Sequence, residues 1–230
     1  MTALVNARRA AALEAIRPIK QGYVVGLGSG NTMALAVAEI SARIRQERIE
    51  SYFIPTSYQI EHIAALHGLR IVSLNEHPEP DLALDGADEV DENLNLIKGG
   101  GGALAKEKVV AAATKKFTII VDEQKRAKKL RKPVPLEVLP FAYKAVIRGI
   151  TAIGGKAILR EGTGKVGPTI TDNGNFILDS DFGTIDDPKS LESRLRSIPG
   201  IVETGLFVEM TDEIYVGKLD GTVELLKKKG

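Results

Sequence analysis

A mostly parallel α/β sheet with helices on both faces, carrying a smaller inserted α+β lobe, is the fold class this sequence predicts. Between Tyr23 and Val121 short apolar runs alternate with helix-length segments, the pattern of parallel strands joined by crossover helices. The connections are short and rich in Gly, Ser, Thr and Asp, as turns at strand ends require. After Lys132 the alternation gives way to a proline-marked run and a hairpin signal, which predicts the lobe. The implied division is residues 1–130 for the main domain, 131–206 for the lobe and 207–230 for a return to the main domain.

The elements follow in order. Met1 to Gly22 has room for one Ala-rich amphipathic helix. Tyr23 to Leu27 reads as a strand, Thr32 to about Arg48 as a helix, Tyr52 to Ile54 as a strand and Tyr58 to His67 as a helix. Leu69 to Leu74, Leu82 to Leu84 and Leu94 to Ile97 read as further strands, Ala103 to Thr114 as a helix and Phe117 to Val121 as a strand. In the lobe, Pro133 to Val138 predicts an entry strand and Phe141 to Ile153 a helix. Ala157 to Arg160, Thr169 to Thr171 and Phe176 to Asp179 predict short strands, the last two joined by the Asp172-Asn173-Gly174-Asn175 turn. Leu191 to Ser197 predicts a helix stopped by Pro199-Gly200; Ile214 to Val216 is a returning strand and Thr222 to Lys228 a last short helix. Gly162 to Pro168 is glycine-rich and reads as an exposed loop.

Composition excludes several classes of function. At 230 residues, 43% hydrophobic and 27% charged, the chain is ordinary for a globular protein with ample core. A net charge of +1 gives no support for a nucleic-acid or membrane-surface partner. Small basic clusters at Lys125 to Lys132 and Lys227 to Lys229 read as solvated surface, Lys125 being reconsidered below. The absence of cysteine removes disulfides, thiolate metal sites and cysteine nucleophiles together. No apolar run has spanning length, and Arg8-Arg9 lead into an Ala-rich helix rather than a signal-peptide core, so a cytoplasmic protein is expected.

In parallel sheets covered by helices, ligands bind beyond the carboxyl ends of the strands. Four punctuated loops follow strands here: Gly28 to Thr32, Thr56-Ser57, Asp85 to Asp91 and Lys98 to Gly102. They are expected to converge on one edge. The loop Gly26-Leu27-Gly28-Ser29-Gly30-Asn31-Thr32 runs from a strand into a helix, which aims unpaired backbone N–H groups at an anion. A dinucleotide fingerprint needs a third Gly or Ala, where this chain has Asn31 or Met33, and there is no Gly-Lys-Thr for a nucleotide P-loop. A lone phosphate suits the loop better, although a glycine turn before a helix is often only a tight connection.

The stretch Asp85-Gly86-Ala87-Asp88-Glu89-Val90-Asp91 ends a buried-strand pattern in carboxylates, and Leu94 to Ile97 ends in Lys98 and four glycines, Gly99 to Gly102. Consecutive glycines cost conformational entropy; a bare backbone approaching a ligand explains them. On the following helix Glu107 shares a face with Ala103, Val110 and Ala111, close to Leu104, while Lys106 and Lys108 flank that apolar stripe. An inward carboxylate is costly unless paired or functional, so a structural salt bridge and a catalytic acid stand about even on position alone. Asp85 and Asp88 can equally cap local turns. A metal held by Asp85, Asp88, Glu89, Asp91 and Glu92 lacks the spacing of a calcium loop, and His62, His67 and His77 lack ligand spacing.

Taken together, Gly26 to Thr32, Asp85-Gly86-Ala87-Asp88-Glu89 and Lys98-Gly99-Gly100-Gly101, with Ala103-Leu104 and Glu107, closely resemble the A type of ribose-5-phosphate isomerase. The resemblance continues through Lys125, Pro133 to Pro140, the Thr171 to Asn175 turn, Ile198-Pro199-Gly200 and Gly205-Leu206-Phe207, in order along nearly the whole chain. Ser29 and Asn31 stand where the family usually has Thr and Ser, both keeping a polar group, and the Glu161 to Pro168 loop is longer. The resemblance implies a Rossmann-like sheet with an inserted lobe, assembled as a homodimer or homotetramer. It implies interconversion of D-ribose 5-phosphate and D-ribulose 5-phosphate through a cis-enediolate, without metal or organic cofactor. Glu107 matches the proton acceptor, and Asp85, Asp88 and Lys98 match catalytic positions. Ser29, Gly30, Asn31, Thr32, Asp85, Gly86, Ala87, Asp88, Lys98, Gly99, Gly100, Gly101 and Lys125 match substrate-contacting ones, with the phosphate on the Ser29 to Thr32 loop or against Lys125.

Three rivals carry sequence signatures of their own. A sugar-phosphate sensor of transcription would need a helix-turn-helix, an amino-sugar phosphate isomerase–deaminase a histidine in the active loop, and a dinucleotide oxidoreductase the missing glycine. His77 precedes the Asp85 motif and no histidine lies within or just after it.

Overall fold

The structure, a computed structural model, describes residues 3–164 and 166–228. Met1, Thr2, Lys165 of the glycine-rich loop, and Lys229 of the terminal lysine cluster therefore lie outside the described residues. The chain forms two compact units, Met1–Ala87 with Lys106–Arg126 and Met210–Gly230, and Asp88–Ala105 with Ala127–Glu209. The second unit thus takes in the segment from Asp88 to Ala105, which the sequence division assigns to the main domain.

In the first unit the strands are β1 (Val24–Leu27), β2 (Tyr52–Pro55), β3 (Arg70–Ile71), β4 (Leu82–Asp85), β7 (Phe117–Asp122), β13 (Glu213–Gly217) and β14 (Val223–Lys227). They form one sheet in the order β14-β13-β7-β4-β1-β2-β3. All neighbours are parallel except β13 and β14, which pair antiparallel. Helices α1 (Ala3–Ala15), α2 (Asn31–Glu47), α3 (Tyr58–Leu66) and most of α4 (Leu104–Ala113) belong to this unit. Val25, Leu27, Phe53, Leu82, Leu84 and Ile120 of the sheet pack with Ala11, Ala15, Met33, Val37, Ile40 and Ile60 of the helices. Strands buried on both faces explain the continuous apolar runs of β1, β4 and β7.

Two expectations fail in this unit. Thr222 to Lys228 is no helix; Val223–Lys227 is the edge strand β14. Asp220-Gly221 turns the chain, with Gly221 at φ 87° and the Lys218 N–H donating to Thr222 O at 2.9 Å, and Asp-Gly is a strong hairpin signal. The run from Leu69 to Leu74 yields only Arg70–Ile71 as strand, because Glu76 folds back to accept from Ser73 N and Oγ at 2.8 Å and closes a turn.

The second unit holds two antiparallel sheets. One has the order β11-β8-β10-β9, from β8 (Val134–Val138), β9 (Lys156–Leu159), β10 (Phe176–Asp181) and β11 (Ile201–Thr204). Helices α5 (Tyr143–Ala152) and α6 (Pro188–Arg196) contribute Val146, Ile150, Leu191 and Leu195 to a core with Val134, Leu136, Val138 and Leu178. The other sheet is β12-β6-β5, from β5 (Glu89–Val90), β6 (Leu96–Ile97) and β12 (Leu206–Phe207). The Leu94 to Ile97 run is therefore not a strand of the parallel sheet, and Leu94 itself is in a turn at φ 63°. Glu89–Val90, Leu206–Phe207 and the four-residue Ile201–Thr204 were not expected as strands; the two-residue strands are too short to show a period.

Smaller departures have local causes. The helix expected from Phe141 begins as a 3-10 turn over Pro140–Ala142 and becomes α-helical at Tyr143. That expected from Leu191 starts earlier, at Pro188, where Asp187 accepts from Ser190 N at 3.0 Å and Pro suits the first helical position. Thr169 to Thr171 makes only an isolated bridge, Ile170 with Phe176, around the expected turn, which closes through Thr171 N–H to Asn175 O at 2.9 Å. Beneath that turn the fully buried Glu137 accepts from Thr171 Oγ1, Asn173 Nδ2 and Asn175 Nδ2 at 2.8–2.9 Å.

Candidate active site

In the first unit, β1, β2, β4 and β7 are parallel, so the loops after them leave the sheet at its carboxyl edge. Two hydroxyl contacts tie the first two loops together: Ser29 Oγ lies 2.9 Å from Thr56 Oγ1 and donates to Ser57 Oγ at 2.6 Å. Thr56 Oγ1 donates onward to Leu27 O at 2.9 Å, and Ser57 caps α3 by accepting from Ile60 N. Gly30, at φ 91°, precedes α2 without any side-chain cap, and its N–H donates to Gln59 Oε1 at 3.0 Å. Asn31 is exposed and Thr32 half-buried on the first turn of α2.

Two glycines let the next residues close in. A Cβ on Gly28 would fall 1.9 Å from the Asp85 carboxyl carbon, so the side chain of Asp85 occupies the space that Gly28 leaves open. Asp85 ends β4, is 2% exposed, and accepts from Gly86 N at 2.7 Å. A Cβ on Gly26 would meet Val110 Cγ1 at 2.4 Å; α4 therefore lies against β1 there. Glu107, one turn earlier on α4, is 5% exposed, and its Oε1 accepts from Ser29 N at 3.3 Å. Its inward position agrees with the helical face read from the sequence. Lys108, expected to flank the stripe, is buried as well.

Lys125 closes a 3-10 turn, Glu123–Lys125, directly after β7 and hence at the same edge. Asp122 caps that turn by accepting from Gln124 N at 3.0 Å, and its other oxygen accepts from Arg8 Nε at 2.7 Å. The predicted groups of this unit, Ser29 to Thr32, Asp85 to Ala87, Glu107 and Lys125, thus share one sheet edge.

The remaining predicted groups belong to the second unit. Lys98 follows β6, is 3% exposed, and sets its ammonium 5.4 Å from the centre of the Phe207 ring. Gly99, at φ 103°, begins a turn in which Gly102 N–H donates to Gly99 O at 3.0 Å. A Cβ there would strike Leu104 Cδ2 at 2.7 Å. Gly100 N–H donates to Asp88 Oδ2 at 2.8 Å, and a Cβ on Gly100 would come 2.9 Å from the same carboxylate. The fourth loop expected at the parallel edge hence extends a strand of a different, antiparallel sheet.

The other acids of the motif have structural partners. Glu89 Oε2 accepts from Arg131 N and Lys132 N at 2.6 and 2.9 Å. Asp91 accepts from Asn93 N, Asn95 N and Asn95 Nδ2 at 2.8–2.9 Å. Among the described residues no three His, Asp or Glu side chains form a group able to hold a metal. Gln59 and Arg160, which touch the two glycine loops, escaped the sequence reading. Gln59 stands two residues beyond the Thr56-Ser57 loop, a signal available in hindsight; Arg160 has none.

A strand-end carboxylate, Asp85, and an inward glutamate, Glu107, thus stand beside a glycine loop at the carboxyl edge of a parallel α/β sheet. The family model described as ribose 5-phosphate isomerase A (phosphoriboisomerase A) matches residues 52–221. A curated relative, ribose-5-phosphate isomerase A of Methanosarcina acetivorans, is 45% identical over 96% of this chain and 94% of its own. That of Archaeoglobus fulgidus is 51% identical over 90% and 93%. Among solved structures, ribose 5-phosphate isomerase A of Methanocaldococcus jannaschii superposes with a TM-score of 0.92 at 44% identity, covering 96% of this chain and 98% of that one. A D-ribose-5-phosphate isomerase in complex with phospho-erythronic acid superposes at 0.95 and 42% identity, covering 99% and 100%. The chain belongs to the ribose 5-phosphate isomerase A family.

Proposed function

We propose that this chain interconverts D-ribose 5-phosphate and D-ribulose 5-phosphate, the reaction its family is named for, and that Glu107 moves the proton between carbons. The carbonyl has to pass from C1 to C2 of the open-chain sugar. Glu107 takes the proton from C2, leaving a cis-enediolate, and returns it to C1 on the same face. Asp85 or Asp88 carries the hydroxyl proton from O2 to O1 and assists opening of the sugar ring. Lys98 and the N–H groups of the glycine run supply fixed positive potential for the developing oxyanion. Either the Ser29 to Thr32 loop or Lys125 holds the phosphate, which fixes C1 and C2 against the base. Gly86 and Ala87 line the sugar with their backbone.

The observation that carries this reading is the place of Glu107. A buried carboxylate on α4, bonded to the backbone of the anion loop 3.3 Å away, faces the carboxyl edge where Asp85 also ends its strand. For the second unit, support comes from local surroundings: a lysine almost without exposure, and an Asp88 that organises the glycine backbone. The relative bound to phospho-erythronic acid supports a sugar phosphate as ligand. Glu107→Gln keeps the shape and removes the base, so turnover is expected to fall at least about a hundredfold, while calorimetry still detects ribose 5-phosphate binding. Turnover equal to the parent would exclude Glu107 as the base.

Assembly as a homodimer or homotetramer belongs to the same reading. Light scattering that returns a monomer mass would remove it. No helix among the described residues is long and apolar enough to cross a membrane.

A further inference from the structure

We propose that Arg160 is a positioning residue for the reaction, its guanidinium turning the peptides of Gly99 and Gly100 so that the next N–H of the loop faces substrate. Arg160 follows β9. Its Nη1 donates to Gly99 O at 2.9 Å and to Gly100 O at 3.1 Å. The rest of the fork is held by Asp179 on β10: Nε donates to Oδ2 at 2.8 Å, and Nη2 donates to Oδ1. Two successive carbonyls on a four-glycine run are thus drawn to one nitrogen, which is itself locked by a bidentate carboxylate.

A trans peptide points its N–H opposite to its C=O. With Gly99 O on Arg160, the N–H of Gly100 has to point away from the guanidinium, and it donates to Asp88 Oδ2 at 2.8 Å. By the same constraint, Gly100 O on Arg160 turns the Gly101 N–H away. That N–H has no hydrogen-bond partner among the described residues, and a Cβ on Gly101 would meet nothing within 4 Å. Glycines choose their own peptide orientation at little cost, so a run of them presents a donor in one direction only when something outside the run imposes it. Arg160 and Asp88 do so from opposite sides of the same peptide. The inference rests on the reading that this loop donates to the enediolate oxygen; it adds which residue aims it.

The kinetics of Arg160→Ala and Arg160→Lys with ribose 5-phosphate test this, beside the parent and Glu107→Gln. Lysine keeps a charge for Asp179 but lacks the planar fork needed to bond a carboxylate and two carbonyls together. Both variants are expected to lose about ten- to a hundredfold in kcat, as misaimed catalytic groups do, with little change in KM. Arg160→Lys is expected to melt at the temperature of the parent. Phospho-erythronic acid should bind both variants more weakly by the same factor as kcat falls, while inorganic phosphate binds unchanged. Guanidinium ion at non-denaturing concentration should restore part of the kcat of Arg160→Ala, and ammonium should not. If Arg160→Lys matches the parent in kcat, or if inorganic phosphate binding falls together with kcat, the residue is only structural and the inference fails. An inactive parent, or an active Glu107→Gln, would instead overturn the underlying functional reading.

Discussion

The two glycine loops solve the same problem by different means. At the carboxyl edge of the parallel sheet, Gly26 at the end of β1 and Gly28 just after it are fixed by crowding, close enough to Val110 and Asp85 that any side chain there collides, while Ser29 and Gly30 beyond them are held by hydrogen bonds. In the second unit, the loop after β6 is crowded at Gly99, but its Gly100 peptide units are set by polar contacts, with Asp88 on one N–H and Arg160 on two carbonyls. Packing constraints tolerate almost no substitution, since a collision with a buried group has to be relieved by moving it. Hydrogen-bonded constraints weaken by steps, one partner at a time.

The largest effect expected is that of Glu107→Gln, already given, because it removes chemistry rather than position. Next comes Gly28→Ala. Its methyl would sit on the Asp85 carboxylate, so we expect kcat to fall about a hundredfold and stability to drop by about 1–3 kcal/mol, read by steady-state kinetics and urea titration. A Gly28→Ala protein with parental kcat would show that crowding does not set this loop.

Gly100→Ala is the matching change in the second unit and should be milder. Its methyl meets the tip of a half-buried Asp88 side chain that can swing aside, so a kcat loss nearer tenfold is expected. If Gly100→Ala proves as damaging as Gly28→Ala, the contrast between the loops is wrong. Asp88→Asn keeps an acceptor for Gly100 N–H, and it separates the two duties of this residue. Little loss of activity would assign the sugar-oxygen proton to Asp85, and a large loss would assign it to Asp88.

The smallest effect concerns stability alone. Burial pushes the carboxyl of Asp81 up, but the N–H of Val24 and the ammonium of Lys115 outweigh it and hold the group below its ordinary value. A depressed native pKa adds stability that is present above the unfolded pKa and lost as pH falls through the native one. Asp81→Asn should therefore lower Tm at neutral pH, and the gap to the parent should close as pH drops below about 4. A gap that is constant with pH would sink the assignment.

Much of the first unit was legible because its signals are local. The apolar runs of β1, β4 and β7, the glycine turn into α2 and the helical face of Glu107 lie within single stretches of chain. Parallel topology then places their ends on one edge. The second unit was harder to read. Leu94 to Ile97 looks like another strand of the same sheet, and nothing in four residues announces that Leu96–Ile97 pairs with Glu89–Val90 and Leu206–Phe207. Thr222 to Lys228 was misread because the apolar residues of a short edge strand match a helix stripe as readily as an alternating one. Gln59 and Arg160 reach loops 29 and 61 residues away, a separation over which sequence carries no pairing signal.

By itself, the order of residues settled which groups carry charge, which runs are buried and which turns need a bare backbone, since all of these depend on near neighbours. Only the folded chain decided which strand extends which sheet, what fills the space beside each glycine and which guanidinium turns a peptide. Those outcomes depend on segments brought together by burial, and burial rewards apolar area without specifying the partner.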